Sequence, residues 1–438
     1  MPTQTTPGGI KYHLIAFNAD GIERTDDPNG KMSENVLAAL RSEPVTDVFI
    51  LSHGWQGDMP SALRQCNKWI DAMGACAADR AAIAKARPGF HPLIVGLHWP
   101  SLAWGDEELS GGNVSFGAPG TSAVDDLVNQ YAERLADTPA ARAALATIIE
   151  SALNNMAPDE LPPDVRAAFL TLNNEAGLGS GGEDADPGAD REPFNPDRVY
   201  EAEQEGVSFG WPSLGGLLAP LRTLTFWKMK DRAKSFGENA GFRFLTQIQE
   251  TGGEKVRVHL MGHSFGCIVV SSTLAGPGGV GKLVRPVNTL ALMQGALSLW
   301  SFCSDIPSKP GRPGFFRSIV DGGKVSGPII TTISAKDTAV GRYYPIAAGA
   351  RGDVQFAPGA LPKFGGVGSF GARGPGLNIV DLEMQPATFA YQFSPGHIYN
   401  IESTRYICDG GGTSGAHNDI AKTEVAHAFW SAVMAGTV

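Results

Sequence analysis

Val256-Arg257-Val258-His259-Leu260-Met261 runs straight into Gly262-His263-Ser264-Phe265-Gly266, and Cys267-Ile268-Val269-Val270-Ser271-Ser272-Thr273-Leu274 follows without a break. The first run has the apolar, β-branched character of a buried strand, and the last is compatible with a helix. Between them G-x-S-x-G forces a sharp strand-to-helix turn, in which the serine backbone is strained and its hydroxyl is lifted above the sheet. Gly262 and Gly266 supply the room for that turn. The helix that starts there also aims its unpaired amides at the serine, which favours negative charge developing on a nearby oxygen. Ser264 is therefore the candidate nucleophile.

Working outward, short apolar runs recur between helical stretches, the pattern of an α/β protein with a mostly parallel sheet and helices on both faces. Strands are expected at Tyr12 to Phe17, Val48 to Leu51, Leu93 to Leu97, Val256 to Met261, Thr289 to Leu292, Ile329 to Ile333 and Ile398 to Ile401. Helices are expected from Pro60 to Lys85, from Leu218 to Gln249 and from Ile420 to Met434. Leu97 and Val256 stand much further apart than one crossover needs. The chain thus divides into a core, 1–100 and 217–438, and a helical cap inserted at 101–216.

Within the insertion, Val124, Leu127, Val128, Tyr131 and Leu135 repeat at helical spacing, and Thr138-Pro139 opens another helix. Residues 177–195 mix glycine with Glu183, Asp184, Asp186, Asp190 and Glu192, a composition that reads as a flexible acidic linker. The spacing of a helix-loop-helix calcium site is missing from it. A second glycine-rich stretch, Gly341 to Gly376, is expected to be loop.

A serine hydroxyl needs a histidine to take its proton and a carboxylate to fix that histidine's tautomer. In the chain order Ser, Asp, His, the acid belongs after a late strand, and Ile329 to Ile333 delivers Asp337 there; Asp305 is its rival. The histidine belongs in the last loop before the closing helix, where His417 stands. His397 competes with it, and His427 falls inside the helix. Negative charge on the substrate oxygen requires two amide donors. One is the backbone N–H of Phe265; the other is expected from Ser52-His53-Gly54-Trp55-Gln56-Gly57, with Trp55 the donor and His53 bracing the loop.

These residues in this order resemble the α/β-hydrolase superfamily, through His53-Gly54-Trp55, Gly262-His263-Ser264-Phe265-Gly266, Asp337 with Val340, and His417. The resemblance implies an eight-stranded, mostly parallel sheet and hydrolysis through an acyl-enzyme. It does not extend to the insertion, where caps of this superfamily vary. His-Gly-Trp stands where many lipases carry a His-Gly-Gly-Gly run, which is similar to the shorter-loop branch. Serine at 264 argues against the aspartate-dependent epoxide and haloalkane hydrolases of that branch. The expected activity is that of a serine esterase on a small-molecule carboxylic ester, falling on acidification as the base histidine takes up a proton. The same residues would serve a thioesterase, lactonase or amidase, and the fold could also be a catalytically silent binding module.

Composition narrows the other classes. A net charge of -10 with no basic stripe argues against nucleic acid as a partner. No apolar run is long enough for an integral membrane segment, and the first residues lack a secretory signal, so a cytoplasmic location is expected. The cysteines, Cys66, Cys76, Cys267, Cys303 and Cys408, are widely spaced and read as reduced thiols. No metal and no cofactor is expected. Gly366-Val367-Gly368-Ser369-Phe370-Gly371 matches a dinucleotide fingerprint, but Ala372-Arg373-Gly374-Pro375-Gly376 cannot open the helix that would hold a pyrophosphate. Gly276 to Lys282 approaches a phosphate loop, yet Leu283 replaces the hydroxyl residue that would hold magnesium. Val207 to Pro212 and Leu221 to Met229, with Phe226 and Trp227, could bring apolar surface to the pocket mouth.

Overall fold

A computed structural model describes residues 3–25, 30–55, 59–101, 121–154, 158–179, 185–204, 216–349 and 361–436. Its strands are β1 (Gln4–Thr5), β2 (Lys11–Ala16), β3 (Asp47–Ser52), β4 (Pro92–His98), β5 (Arg257–His263), β6 (Thr289–Met293), β7 (Ile329–Ile333), β8 (Ile379–Glu383) and β9 (Ile398–Glu402). They form one sheet in the order β1-β2-β4-β3-β5-β6-β7-β9-β8, parallel throughout except for β1 against β2. The sheet therefore has nine strands, not the expected eight. The seven strands anticipated from the sequence are present within two residues. β1 is only two residues long, and β8 is a half-exposed edge strand whose acids Asp381 and Glu383 interrupt its apolar character.

Alternation along the strands builds two cores. Val48 and Ile50 join Val258, Leu260, Leu290 and Leu292 on one face, while Phe49 and Leu51 join Met261, Ala291 and Met293 on the other. Because both faces are covered, β3 is buried along its whole length, and Val48–Leu51 within it reads as a continuous apolar run. The helices are, in chain order, α1 (Met32–Ser42), α2 (Met59–Ala75), α3 (Ala77–Ala86), α4 (Thr121–Arg134), α5 (Pro139–Asn154), α6 (Pro163–Glu175), α7 (Pro196–Gln204) and α8 (Ala219–Phe236). They continue with α9 (Phe242–Gly252), α10 (Gly266–Ala275), α11 (Arg317–Asp321), α12 (Tyr344–Ala347), α13 (Val367–Phe370) and α14 (Thr423–Ala435). Residues of α1, α8, α9 and α10 fill the first core, and those of α2, α3 and α14 fill the second.

Two helices expected as single pieces are broken. The run from Pro60 to Lys85 splits at Cys76 into α2 and α3. The run from Leu218 to Gln249 becomes α8, a π-helical turn over Gly237–Gly241, and α9. Glycines occupy that turn because α10 packs directly against it: a Cβ at 237 would lie 2.5 Å from Ser272 Cβ, and one at 241 would collide with the Thr273 hydroxyl.

The helices α4 to α7 of the insertion share a core of their own with Leu221 and Leu224 of α8, whereas Phe226, Trp227 and Met229 of the same helix belong to the sheet's core. Of the acidic stretch 177–195 expected as a linker, residues 185–195 make defined contacts, and residues 180–184 lie outside the described ones. Its acids find cations and donors. Asp186 accepts Lys234 Nζ at 2.9 Å, and buried Asp190 accepts the Tyr344 hydroxyl at 2.5 Å. Buried Arg191 donates to the Gly179 carbonyl and to Asn173 Oδ1. Val207 to Pro212, expected near a pocket mouth, lies outside the described residues. Among the described residues no helix is long and apolar enough to cross a membrane. All five cysteines are free thiols, four of them buried.

Candidate active site

The chain winds from β3 to β4 in one direction across the sheet, then crosses over to β5 and proceeds in the other. That reversal sets the topological switch point between the carboxyl ends of β3 and β5, the place where open α/β sheets bind ligands. Ser264 stands there, directly after β5, with φ +56°. Among the described residues only two other non-glycine residues take positive φ, and one of them, Gln294, lies in the same site directly after β6. The strain at 264 is held by backbone hydrogen bonds: its amide donates to the Met293 carbonyl at 3.1 Å, and its carbonyl accepts the Ala296 amide at 3.2 Å.

The glycines of the turn are sterically required. A Cβ at 262 would strike the Gly266 backbone, and one at 266 would strike the Ser52 carbonyl. Gly54, just past β3, is equally confined: a Cβ there would sit 2.6 Å from Ser264 Cβ and 3.2 Å from its Oγ. The loop expected to carry the second amide donor thus lies against the serine. Trp55 in that loop stacks on Phe265 at 5.6 Å and meets Phe226 edge-on at 5.5 Å. Its indole Nε1 is buried with no hydrogen-bond partner among the described residues. Phe265 caps α10, where the first amides have no intrahelical acceptor. Of the apolar residues expected near the mouth, Phe226 touches Phe265 and Trp55, whereas Trp227 is core, its indole donating to the Ala347 carbonyl.

Asp337 follows β7 and is buried. Its Oδ1 accepts the Val340 amide at 3.0 Å; its Oδ2 accepts His417 Nδ1 at 2.7 Å and Gln294 Nε2 at 2.8 Å. A carboxylate facing Nδ1 places the ring proton there and leaves Nε2 as the basic nitrogen. The loop bearing His417 reaches the loop bearing Asp337 through a bridge between Asp337 and Gly415, where a Cβ at 415 (φ +55°) would strike the Lys336 carbonyl. His417 is tied to the serine's turn as well: His263 Nε2 donates to the His417 carbonyl at 2.8 Å, and the two rings lie 4.9 Å apart. Among the described residues no hydrogen bond joins Ser264 Oγ to the His417 ring in this conformation. Such contacts often tighten only when substrate binds.

The rivals stand elsewhere. His397 precedes β9, at the opposite edge of the sheet, with Nδ1 on the Pro395 carbonyl. Asp305 accepts the Gly311 amide in a turn. His427 is held on both nitrogens, by Asp79 and by the Phe389 carbonyl. Three site residues were not anticipated in these roles. Gln294 links the acid to the serine's turn, Gln65 of α2 donates to His263 Nδ1 at 2.9 Å, and His98 ends β4 with Nδ1 2.9 Å from His53 Nε2. Gln294 and His98 share the one available signal, a polar residue at the carboxyl end of a central strand. The glycine-rich Gly366-Val367-Gly368 packs on Gln294, where a Cβ at 368 would lie 2.6 Å from its carbonyl carbon.

Burial sets the proton state of the two histidines flanking the serine. It pushes His53 down to about 4, against a small opposing pull from its bond to the Gly54 carbonyl. It pushes His263 down to about 3, helped by the neighbouring His417. Both are neutral at pH 7. Among the described residues one group has metal-ligand spacing, Cys408, Asp409 and Asp419. Its ligand atoms are engaged: Asp419 Oδ2 accepts the amides of 408 and 409, and Lys422 Nζ bonds Asp409 at 2.7 Å and Asp419 at 2.9 Å. Compared with family models, curated proteins and solved structures, the chain matches none.

Proposed function

We propose that the protein is a serine hydrolase of the α/β-hydrolase type, cleaving small carboxylic esters through an acyl-enzyme on Ser264. Ser264 Oγ attacks the ester carbonyl carbon while His417 Nε2 takes its proton. Asp337 holds Nδ1–H and stabilises the imidazolium. The amides of Phe265 and Trp55 receive the negative oxygen. His417 returns the proton to the leaving alcohol, and water then releases the acid by the same steps. The observation that carries this reading is the 2.7 Å Asp337–His417 bond, tied through His263 to a serine held at φ +56°.

The test is an intact-mass measurement after treatment with a fluorophosphonate, with p-nitrophenyl esters of graded chain length as substrates. The expected result is a single adduct mapped to Ser264 and ester cleavage that Ser264→Ala abolishes. Absence of both adduct and turnover would refute the hydrolase and favour a binding module with the same fold. Phe226, Trp55 and Phe265 pack together beside the serine, so medium acyl chains are expected to outrun acetyl.

A further inference from the structure

The oxyanion loop is controlled by a pair of imidazoles whose hydrogen bonds have a direction. His53 Nδ1 lies 2.9 Å from the Gly54 carbonyl, which can only accept, so Nδ1 carries the proton. His53 is fully buried and neutral, hence its Nε2 is an acceptor. The atom facing that nitrogen is His98 Nδ1 at 2.9 Å, which must therefore be the donor. The pair belongs to neighbouring strands in register, since Ser52 of β3 stands opposite Leu97 of β4. Trp99 completes the clamp, its indole donating to the His53 carbonyl at 3.1 Å and its ring lying parallel to the imidazole at 5.9 Å.

Gly54 and Trp55 share one peptide plane, and the described chain has no cis bond. In a trans peptide the C=O and the following N–H point in opposite directions. Drawing the Gly54 carbonyl toward His53 consequently turns the Trp55 N–H away from it. Resting on the hydrolase reading above, we propose that His98 and His53 are positioning residues: a one-way relay, from His98 Nδ1–H to His53 Nε2 and from His53 Nδ1–H to the Gly54 carbonyl, that presents the Trp55 amide to the substrate oxygen. Neither imidazole touches the reacting atoms or exchanges a proton during turnover.

The direction of the relay separates it from mere packing. Asparagine and aspartate have nearly the same shape, but asparagine at 98 can donate to His53 Nε2 and aspartate can only accept. An acceptor there pulls the His53 proton to Nε2 and leaves a lone pair facing the Gly54 carbonyl. The expected outcome for His98→Asp is a kcat about 100-fold lower, with KM within about three-fold, the signature of a lost oxyanion donor. His98→Asn should rescue most of that loss, and equal rates for the two would overturn the relay while leaving the hydrolase standing. Nitrogen NMR of the unmodified protein gives a readout that needs neither turnover nor a folded variant. Protonated Nδ1 and bare Nε2 on His53 are expected, and the opposite tautomer would refute the proposal even if no ester is cleaved.

Discussion

Two aspartate–histidine pairs bracket strand β5, one at each end, and they are built to opposite ends. At the amino edge, His259 Nε2 meets Asp47 at 3.0 Å, and the Thr289 hydroxyl faces Nδ1 at 3.1 Å. Asp47 also accepts Arg87 at 2.6 Å and the Thr46 hydroxyl at 2.7 Å, and both members of the pair are completely buried within the sheet. At the carboxyl edge, Asp337 takes only one ring nitrogen of His417. Among the described residues no hydrogen-bond partner faces the other nitrogen. The residue types are the same. A pair saturated on both nitrogens between strands is a strut, whereas a pair on two loops with one basic nitrogen unclaimed can move a proton.

Replacing the acids breaks the comparison most directly. Asp337→Asn is expected to lower kcat by about 10⁴-fold, because the amide favours the wrong tautomer of His417. Asp47→Ala is expected to leave the kcat of any ester cleavage by the folded protein within about two-fold. It should cost about 3 kcal/mol of stability, since Arg87 and His259 lose their shared buried partner. Ester kinetics beside urea unfolding of both variants decides the matter. Equal kcat losses would mean that the two pairs are not different in kind.

Acid sharpens the same contrast. His53, His263 and His259 all titrate below their ordinary range because burial disfavours the cation. The unfolded chain therefore binds more protons than the folded one once pH falls below about 6.5, and stability drops as it does. Each of the two histidines beside the serine contributes about 1.4 kcal/mol per pH unit, down to about 4 for His53 and about 3 for His263. Asp47 responds lower down. Its hydrogen bonds to His259, Thr46 and Arg87 outweigh burial and hold its carboxyl below the usual range, so its contribution is present above about pH 4 and is lost below. Urea titrations from pH 7 to 4 should show the histidine slope, and His263→Asn should flatten it.

Most of the sheet was legible because both its faces are buried: Val48 to Leu51 and Leu290 to Leu292 are short apolar runs of the kind that fully covered strands carry. The edge strand β8 was not, since a half-exposed strand carries half the signal. In the candidate site, position beyond the end of a strand pointed to Ser264, Asp337 and His417, with Asp305 and His397 as rivals that the fold places elsewhere. Gln65 and the His53–His98 contact were hidden, because they join residues brought together only when β3, β4 and α2 have packed. The contacts of the acids at 186 and 190 were hidden for the same reason. Their partners, Lys234 and Tyr344, lie far along the chain, and composition alone sees the charge without its counterpart.

The smallest expected effect tests how far the support behind the carboxyl-edge pair extends. Gln65 acts through His263: it donates to His263 Nδ1, which keeps the His263 proton on Nε2, where it holds the His417 carbonyl. Gln65→Leu removes that preference but leaves the apolar stem of the side chain in place. A half-buried amide bond of this kind is worth about 1 kcal/mol, and that loss of stability is expected. The kcat change should stay below about three-fold, because the Asp337 bond still fixes the His417 ring when its backbone anchor loosens. Gln65→Glu adds the opposing arm: a carboxylate facing Nδ1 would stabilise the His263 cation and raise its titration. The acid-induced loss of stability would then become shallower between pH 6.5 and 4. An unchanged slope in Gln65→Glu would show that His263 is kept neutral by its surroundings as a whole and not through this one contact.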